Sequence, residues 1–200
     1  MPSFDLRGMK IAKYVNTSGT ITYTNVQTIG DAMNCNLELR FAEGRLYAES
    51  TLAEYMKKAT GGTISVGVKY IPDAAQQLMF GSTQKSRSIT YTPVGSSSST
   101  TVSVIGLITA APDTPAYVGF ACYAPDMVDG VKKFTCLKVA KALFGPPSMS
   151  FQTAGENIVF NTPTTSGEFL ADDSTSQNLI EVAICDDENE AKAWVAAVLQ

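Results

Sequence analysis

The sequence predicts a mainly β (α+β) fold, a sandwich or barrel with one short internal helix and a C-terminal helix, in a single domain over residues 1–200. Three observations carry that prediction. Residues 34–41 and 63–70 alternate with period two: Cys35, Leu37 and Leu39 share one face opposite Glu38 and Arg40, and Ile64, Val66, Val68 and Tyr70 share another. Asp129-Gly130 joins two apolar runs, 116–124 and 131–143, as a hairpin turn does. Helices with start and stop signals occur in two short places, Pro72 to Gly81 and Asp187 to about Leu199.

The elements follow in order. Residues 9–15 and 20–26 flank the turn cluster Asn16-Thr17-Ser18-Gly19 and read as a hairpin. After the strand at 34–41 the alternation breaks. Residues 42–62 (AEGRLYAESTLAEYMKKATGG) are charged, and Leu46, Leu52, Tyr55 and Met56 do not alternate. This stretch reads as a long excursion loop, about 41–62, or as a loop with a short helix near 52–58. Its apolar residues argue that it is buried against something. Pro72 opens a short helix carrying Ala74, Ala75, Leu78 and Met79, and Gly81 stops it. A variable, Ser-rich insertion of about 83–115 follows, with strands near 89–92 and 102–108 around the flexible run GSSSSTT. If Asp129 and Gly130 alone form the later turn, Cys122 falls opposite Leu137 and Cys136 opposite Tyr123, on opposite faces, which disfavours a disulfide there. Residues 156–160, 165–170 and 178–185 read as strands. Asp187 and Glu190 have the spacing of a capping box before a helix to about Leu199, which would dock through Ala191, Trp194, Val195 and Val198.

Composition narrows the function. The chain has 200 residues, 17% charged, with net charge −4 and no histidine. An acidic chain without clustered Lys and Arg is a poor grip for nucleic acid. The missing histidine removes the commonest general base and metal ligand. The carboxylate clusters Asp172-Asp173 and Asp186-Asp187-Glu188 read as a turn and a helix start rather than as calcium or catalytic sites. No enzyme activity, cofactor or metal is expected, and no phosphate-loop, dinucleotide or nucleophile-elbow motif occurs. The N-terminal residues lack a signal-peptide pattern and no run approaches a membrane span. The four cysteines, Cys35, Cys122, Cys136 and Cys185, form no C-x-x-C pair and read as reduced, partly buried side chains.

Several stretches, in order, resemble one family: LRGMKIAKYV at 6–15, ELRFAEGRLYAESTLAEYMKKATGGTISVGV at 38–68, YIPDAAQQLMFG at 70–81, AYVGFACYAP and GVKKFTCLKVAKALFGPPSMSFQTAGENIVFNTPTTSGEF within 116–169, and AKAWVAAV at 191–198. Together they are similar to the major tail (tail-tube) proteins of siphophages, of the phi13 type. That resemblance implies a late structural virion protein that self-assembles into hexameric rings. The rings stack into a hollow tail tube, the conduit for genome ejection into the host. It implies assembly in the host cytoplasm, residence in the virion, and partnership with tape-measure, tail-terminator and distal tail proteins. DNA would pass without specific binding. The 41–62 segment would then be an inter-subunit arm, with Phe41, Arg45, Leu46, Tyr47, Leu52, Tyr55 and Met56 as contact residues. Glu38, by strand parity, would be a lumen-facing acid. Two alternatives stand beside this: a β-rich adhesion or carbohydrate-binding module, and another phage or secretion-system ring protein such as a tail terminator. A hydrolase using Asp172-Asp173 or Asp186-Asp187 has the least support.

Overall fold

The structure, a computed structural model, describes residues 5–48, 51–111, 113–150, 153 and 162–200. It is mainly β. Its elements are β1 (Arg7–Thr17), β2 (Thr20–Thr28), β3 (Ala32–Ala48), β4 (Thr51–Val68), α1 (Asp73–Phe80), β5 (Thr83–Tyr91), β6 (Thr100–Ile108), β7 (Val118–Val128), β8 (Val131–Phe144), β9 (Thr164–Leu170), β10 (Ile180–Cys185) and α2 (Glu188–Ala197). Eight strands form one antiparallel sheet in the order β2-β1-β7-β8-β9-β4-β3, with β10 also paired to β8; β5 and β6 form a separate two-stranded sheet. The strand expected at 156–160 lies outside the described residues.

The main sheet is curled. In a flat sheet β1 and β4, four strand spacings apart, would be separated by about 19 Å. Instead Met9 and Ile11 of β1 share one core with Ile64, Val66 and Val68 of β4. Helix α1 closes that core with Ala75, Leu78, Met79 and Phe80. It ends at Gly81, whose φ of 72° is the left-handed conformation that glycine tolerates.

The central strands are buried on both faces, and their alternation says where each side chain goes. Phe120 and Cys122 of β7 enter the α1-side core, whereas Ala121 and Tyr123 enter a second core beneath α2. The same split puts Met9 and Ile11 on one side of β1 and Ala12 and Tyr14 on the other. Helix α2 begins as its sequence requires: Asp187 accepts hydrogen bonds from the Asn189 and Glu190 backbone N–H groups, and Glu190 accepts one from the Asp186 N–H. Its buried residues are Ala191 and Val195, with Leu199 just beyond its end; Trp194 and Val198 are only partly covered.

Strand β8 changes partner along its length. Residues 134–139 pair with β10 and residues 141–144 with β9. The handover coincides with a register shift between Val139 and Ala142 against β7. The irregularity resets parity, so Val139 and Ala142 both face the α1-side core. The β7–β8 turn is the Asp129-Gly130 pair, with Cys122 opposite Leu137 and Tyr123 opposite Cys136. Strand β7 runs through Pro125 to Val128, beyond the expected end at 124. All four cysteines are free.

The acids of the β9–β10 connection are structural ties. Asp172 accepts hydrogen bonds from the backbone N–H and side chains of both Ser174 and Asn178. Burial pulls its pKa up, but these bonds outweigh burial and hold it below the ordinary 3.8. Asp173 is lowered first by the Lys141 ammonium, 2.8 Å away, and then by the Tyr14 hydroxyl.

Two outcomes are expected. Phe169 is fully buried, so Phe169→Ala should cost about 3–5 kcal/mol in chemical denaturation. Both aspartate pKa values are depressed in the folded state, so their stabilisation is complete above 3.8 and is lost as pH falls through the folded values. Thermal unfolding of the Asp172→Asn, Asp173→Asn double variant should therefore show a lower midpoint at pH 7 and a weaker further fall below about pH 4 than wild type.

Candidate functional site: two ribbons outside the core

The 41–62 segment is neither a loop nor a helix. It is the outer part of one β-hairpin, in which β3 and β4 stay paired from Ala32↔Val68 to Ala48↔Thr51. Strand β9 supports β4 only from Gly62 to Gly67. Beyond Gly61 the hairpin is therefore a bare two-stranded ribbon, reaching about 25 Å over the eight residues from Phe41 to Ala48. Every described residue from Glu38 to Ala48 and from Thr51 to Lys58 is exposed.

Two register shifts explain why the sequence looked irregular. Arg40 pairs with Gly61 but Phe41 with Ala59, leaving Thr60 as an extra residue on β4. Leu46 pairs with Glu54 but Tyr47 with Leu52, leaving Ala53 extra. Each bulge flips the parity of β4 against its own earlier residues, while β3 alternates without interruption from Asn34 to Ala48. The signal present in the sequence was on β3: Phe41, Glu43, Arg45 and Tyr47 alternate with the small or aliphatic Ala42, Gly44, Leu46 and Ala48.

The ribbon has two unlike faces. One carries Phe41, Glu43, Arg45 and Tyr47 with their partners Leu52, Tyr55 and Lys57. It is the outward continuation of the face that holds Cys35 and Leu37 against the core. A ladder runs along it. The Lys57 ammonium sits 4.3 Å from the Phe41 ring centroid and 3.2 Å from the Glu43 carboxylate; Glu43 reaches Arg45 at 3.7 Å; and the Arg45 guanidinium lies 5.6 Å from the Tyr55 ring centroid. Lys57, then Tyr55, hold the Glu43 carboxyl below its ordinary range. Partial desolvation, then Glu43, push the Tyr55 phenol up. The other face carries Ala42, Gly44, Leu46, Ala48 and Met56 with Glu54 and Lys58. Leu46 is 58% exposed and Met56 74%, over a flat strip of small residues. The predicted contact residues thus divide: Phe41, Arg45, Tyr47, Leu52 and Tyr55 lie on the ladder face, Leu46 and Met56 on the opposite one.

Glu38 is exposed on the outer face of the sheet, opposite Cys35 and Leu37 in parity. It pairs with Thr63, which pairs in turn with Glu168 of β9, and Arg40 binds Glu168 at 3.0 Å. With Asn36, Ser65 and Ser166 these residues make a polar surface two acids and one arginine wide.

The Ser-rich insertion is a second ribbon. Strands β5 and β6 pair over their whole length, from Thr83↔Ile108 to Tyr91↔Thr100, and neither pairs with the main sheet. Hydroxyl contacts link its strands at Ser86–Ser103 and Thr90–Thr101. The expected strands at 89–92 and 102–108 were thus parts of one longer hairpin, and Ser and Thr repetition hid its length. Among the described residues no cluster of three or more Cys, Asp or Glu is placed to hold a metal, and no helix is long and apolar enough to cross a membrane.

An isolated two-stranded ribbon is only marginally stable in water. Limited trypsin digestion of the monomer should therefore cut first at Arg45, Lys57 and Lys58, with the β7–β8 body persisting on a gel; a body lost as fast as the ribbon would contradict this. No protein-family model matches the chain, and no curated protein matches it.

Proposed function

We propose that the chain is a self-assembling structural subunit, a tail-tube protein that closes into hexameric rings and stacks into a hollow conduit for DNA. The observation that carries this reading is the β3–β4 ribbon. Its strands run past the last supported rung and carry large apolar side chains on both faces, where none of the described residues covers them. Exposed apolar area of this kind marks an interaction surface, and a two-stranded ribbon gains its missing stability when another surface packs on it. The ordered sequence resemblance supports the same reading and supplies the ring and tube.

In this reading the contact residues are Phe41, Arg45, Leu46, Tyr47, Leu52, Tyr55 and Met56. The ladder face and the smooth Leu46–Met56 face meet different neighbours, since one ribbon passing between two subunits is covered on both sides. Glu38, with Glu168 beside it, belongs to a polar surface suited to a lumen. Acids there repel a polyanion and let it slide, whereas clustered Lys and Arg would retain it. The working environment is the virion, after assembly in the host cytoplasm, and the tube ends meet tape-measure, tail-terminator and distal tail proteins. The chemistry asked of the chain is association alone.

The test is direct. Purified protein should form rings or tubes by negative-stain electron microscopy, and tubes should protect Lys57 and Lys58 from trypsin. Replacing residues 43–57 by Asn-Gly joins the partners Ala42 and Lys58 through a two-residue turn. That variant should remain a folded monomer and form no tubes. A monodisperse monomer from the intact chain at high concentration would overturn the proposal.

A further inference from the structure

Strand β10 presents an open edge. Among the described residues it hydrogen-bonds only to β8, and its other side has no partner. Val182 and Ile184 point to the face opposite the α2-side core and are 60% and 49% exposed. Asp186 follows immediately, with a side chain 78% exposed although one carboxylate oxygen holds Lys133. An open, partly apolar edge of this sort is a template for another strand.

The β5–β6 ribbon presents the complement. The outer edge of β5 has no partner among the described residues. Its two strands carry Lys85 and Arg87 and no carboxylate, in a chain whose net charge is −4. Arg87, Ile89 and Tyr91 lie on one face at alternate positions. Run antiparallel to β10, this spacing sets Arg87 opposite Asp186, Ile89 opposite Ile184 and Tyr91 opposite Val182. One register matches the charge and both apolar pairs, which are the pairings that stabilise neighbouring strands. The open edges of β2 and β3 fit less well. Strand β2 contains no carboxylate, and β3 places Arg40 two residues from Glu38 and Arg45 two residues from Glu43, so that with Arg87 opposite either glutamate Lys85 meets an arginine.

We infer that the β5–β6 ribbon of one copy adds to the free edge of β10 in a second copy, extending the eight-stranded sheet across the subunit boundary through Arg87–Asp186, Ile89–Ile184 and Tyr91–Val182. The contact is head-to-tail: each copy gives a ribbon and receives one, so it closes a ring or propagates. It rests on the self-assembly reading and names a second surface for it, separate from the β3–β4 ribbon.

Charge reversal tests it. Arg87→Glu and Asp186→Arg should each raise the concentration needed for rings or tubes roughly tenfold or more, because each places like charges across the new strand pair. The double variant should restore assembly. So should an equal mixture of the two single variants, because in an alternating array every reversed ribbon meets a reversed edge and every native ribbon a native one. Sedimentation and negative-stain microscopy read the result, with circular dichroism confirming that each variant is folded. If wild type assembles and the single reversals assemble at the same concentration, the β5–β10 contact is wrong while self-assembly stands. If the double variant recovers but the mixture does not, the ribbon contacts its own copy and the inference is overturned. A wild type that never assembles overturns the self-assembly reading itself.

Discussion

The Phe169 ring lying on Gly62 is the contact on which the division between body and ribbon depends. A Cβ at Gly62 would come within 2.4 Å of that ring and 2.1 Å of the Glu38 carbonyl oxygen. At Gly61, with φ of 145°, it would lie 2.5 Å from the Phe169 carbonyl oxygen. Two consecutive glycines therefore let β9 close down on β4 and seal the end of the core. One residue further on, Thr60 bulges and the strands leave the body. The same short stretch ends the core and launches the arm.

That junction gives the molecule two unlike kinds of β structure. In the body, β1, β7 and β8 are covered on both faces, and α1 and α2 complete two cores. In the ribbons, pairing persists without a core beneath it. The ion pairs and cation–ring contacts along Glu43, Arg45 and Lys57 are exposed to water, which screens them, so each adds little to stability. They shape the ribbon more than they stabilise it.

Much of the body was legible in the sequence because burial imposed its period. The alternation at Cys35–Leu37 and Ile64–Val68, the Asp129-Gly130 turn with its register, the Pro72-to-Gly81 helix and the Asp187 cap all follow local rules that packing reinforces. The ribbons were not legible for the opposite reason. With no core to select one face, residues 42–58 mix Ala, Gly, Glu and Lys, and the bulges at Ala53 and Thr60 offset the two strands' patterns. Burial of both cores by one strand was also hidden: an unbroken apolar run such as 118–123 does not say that odd and even positions serve different cores. All the predicted contact residues but Arg45 are apolar or aromatic side chains in a stretch without helical or strand periodicity, and all seven are exposed. Their division between two faces needed the register.

The tip between β5 and β6 has its own consequence. Residues 92–99 join the two strands beyond their last pair, and a side chain added at Gly95 would meet nothing within 4 Å. Because the strands below hold the ends of this loop close together, extra residues inserted there cost little closure entropy and leave the sheet register untouched. The tip is thus a natural site for sequence drift, and a practical one for grafting a peptide epitope.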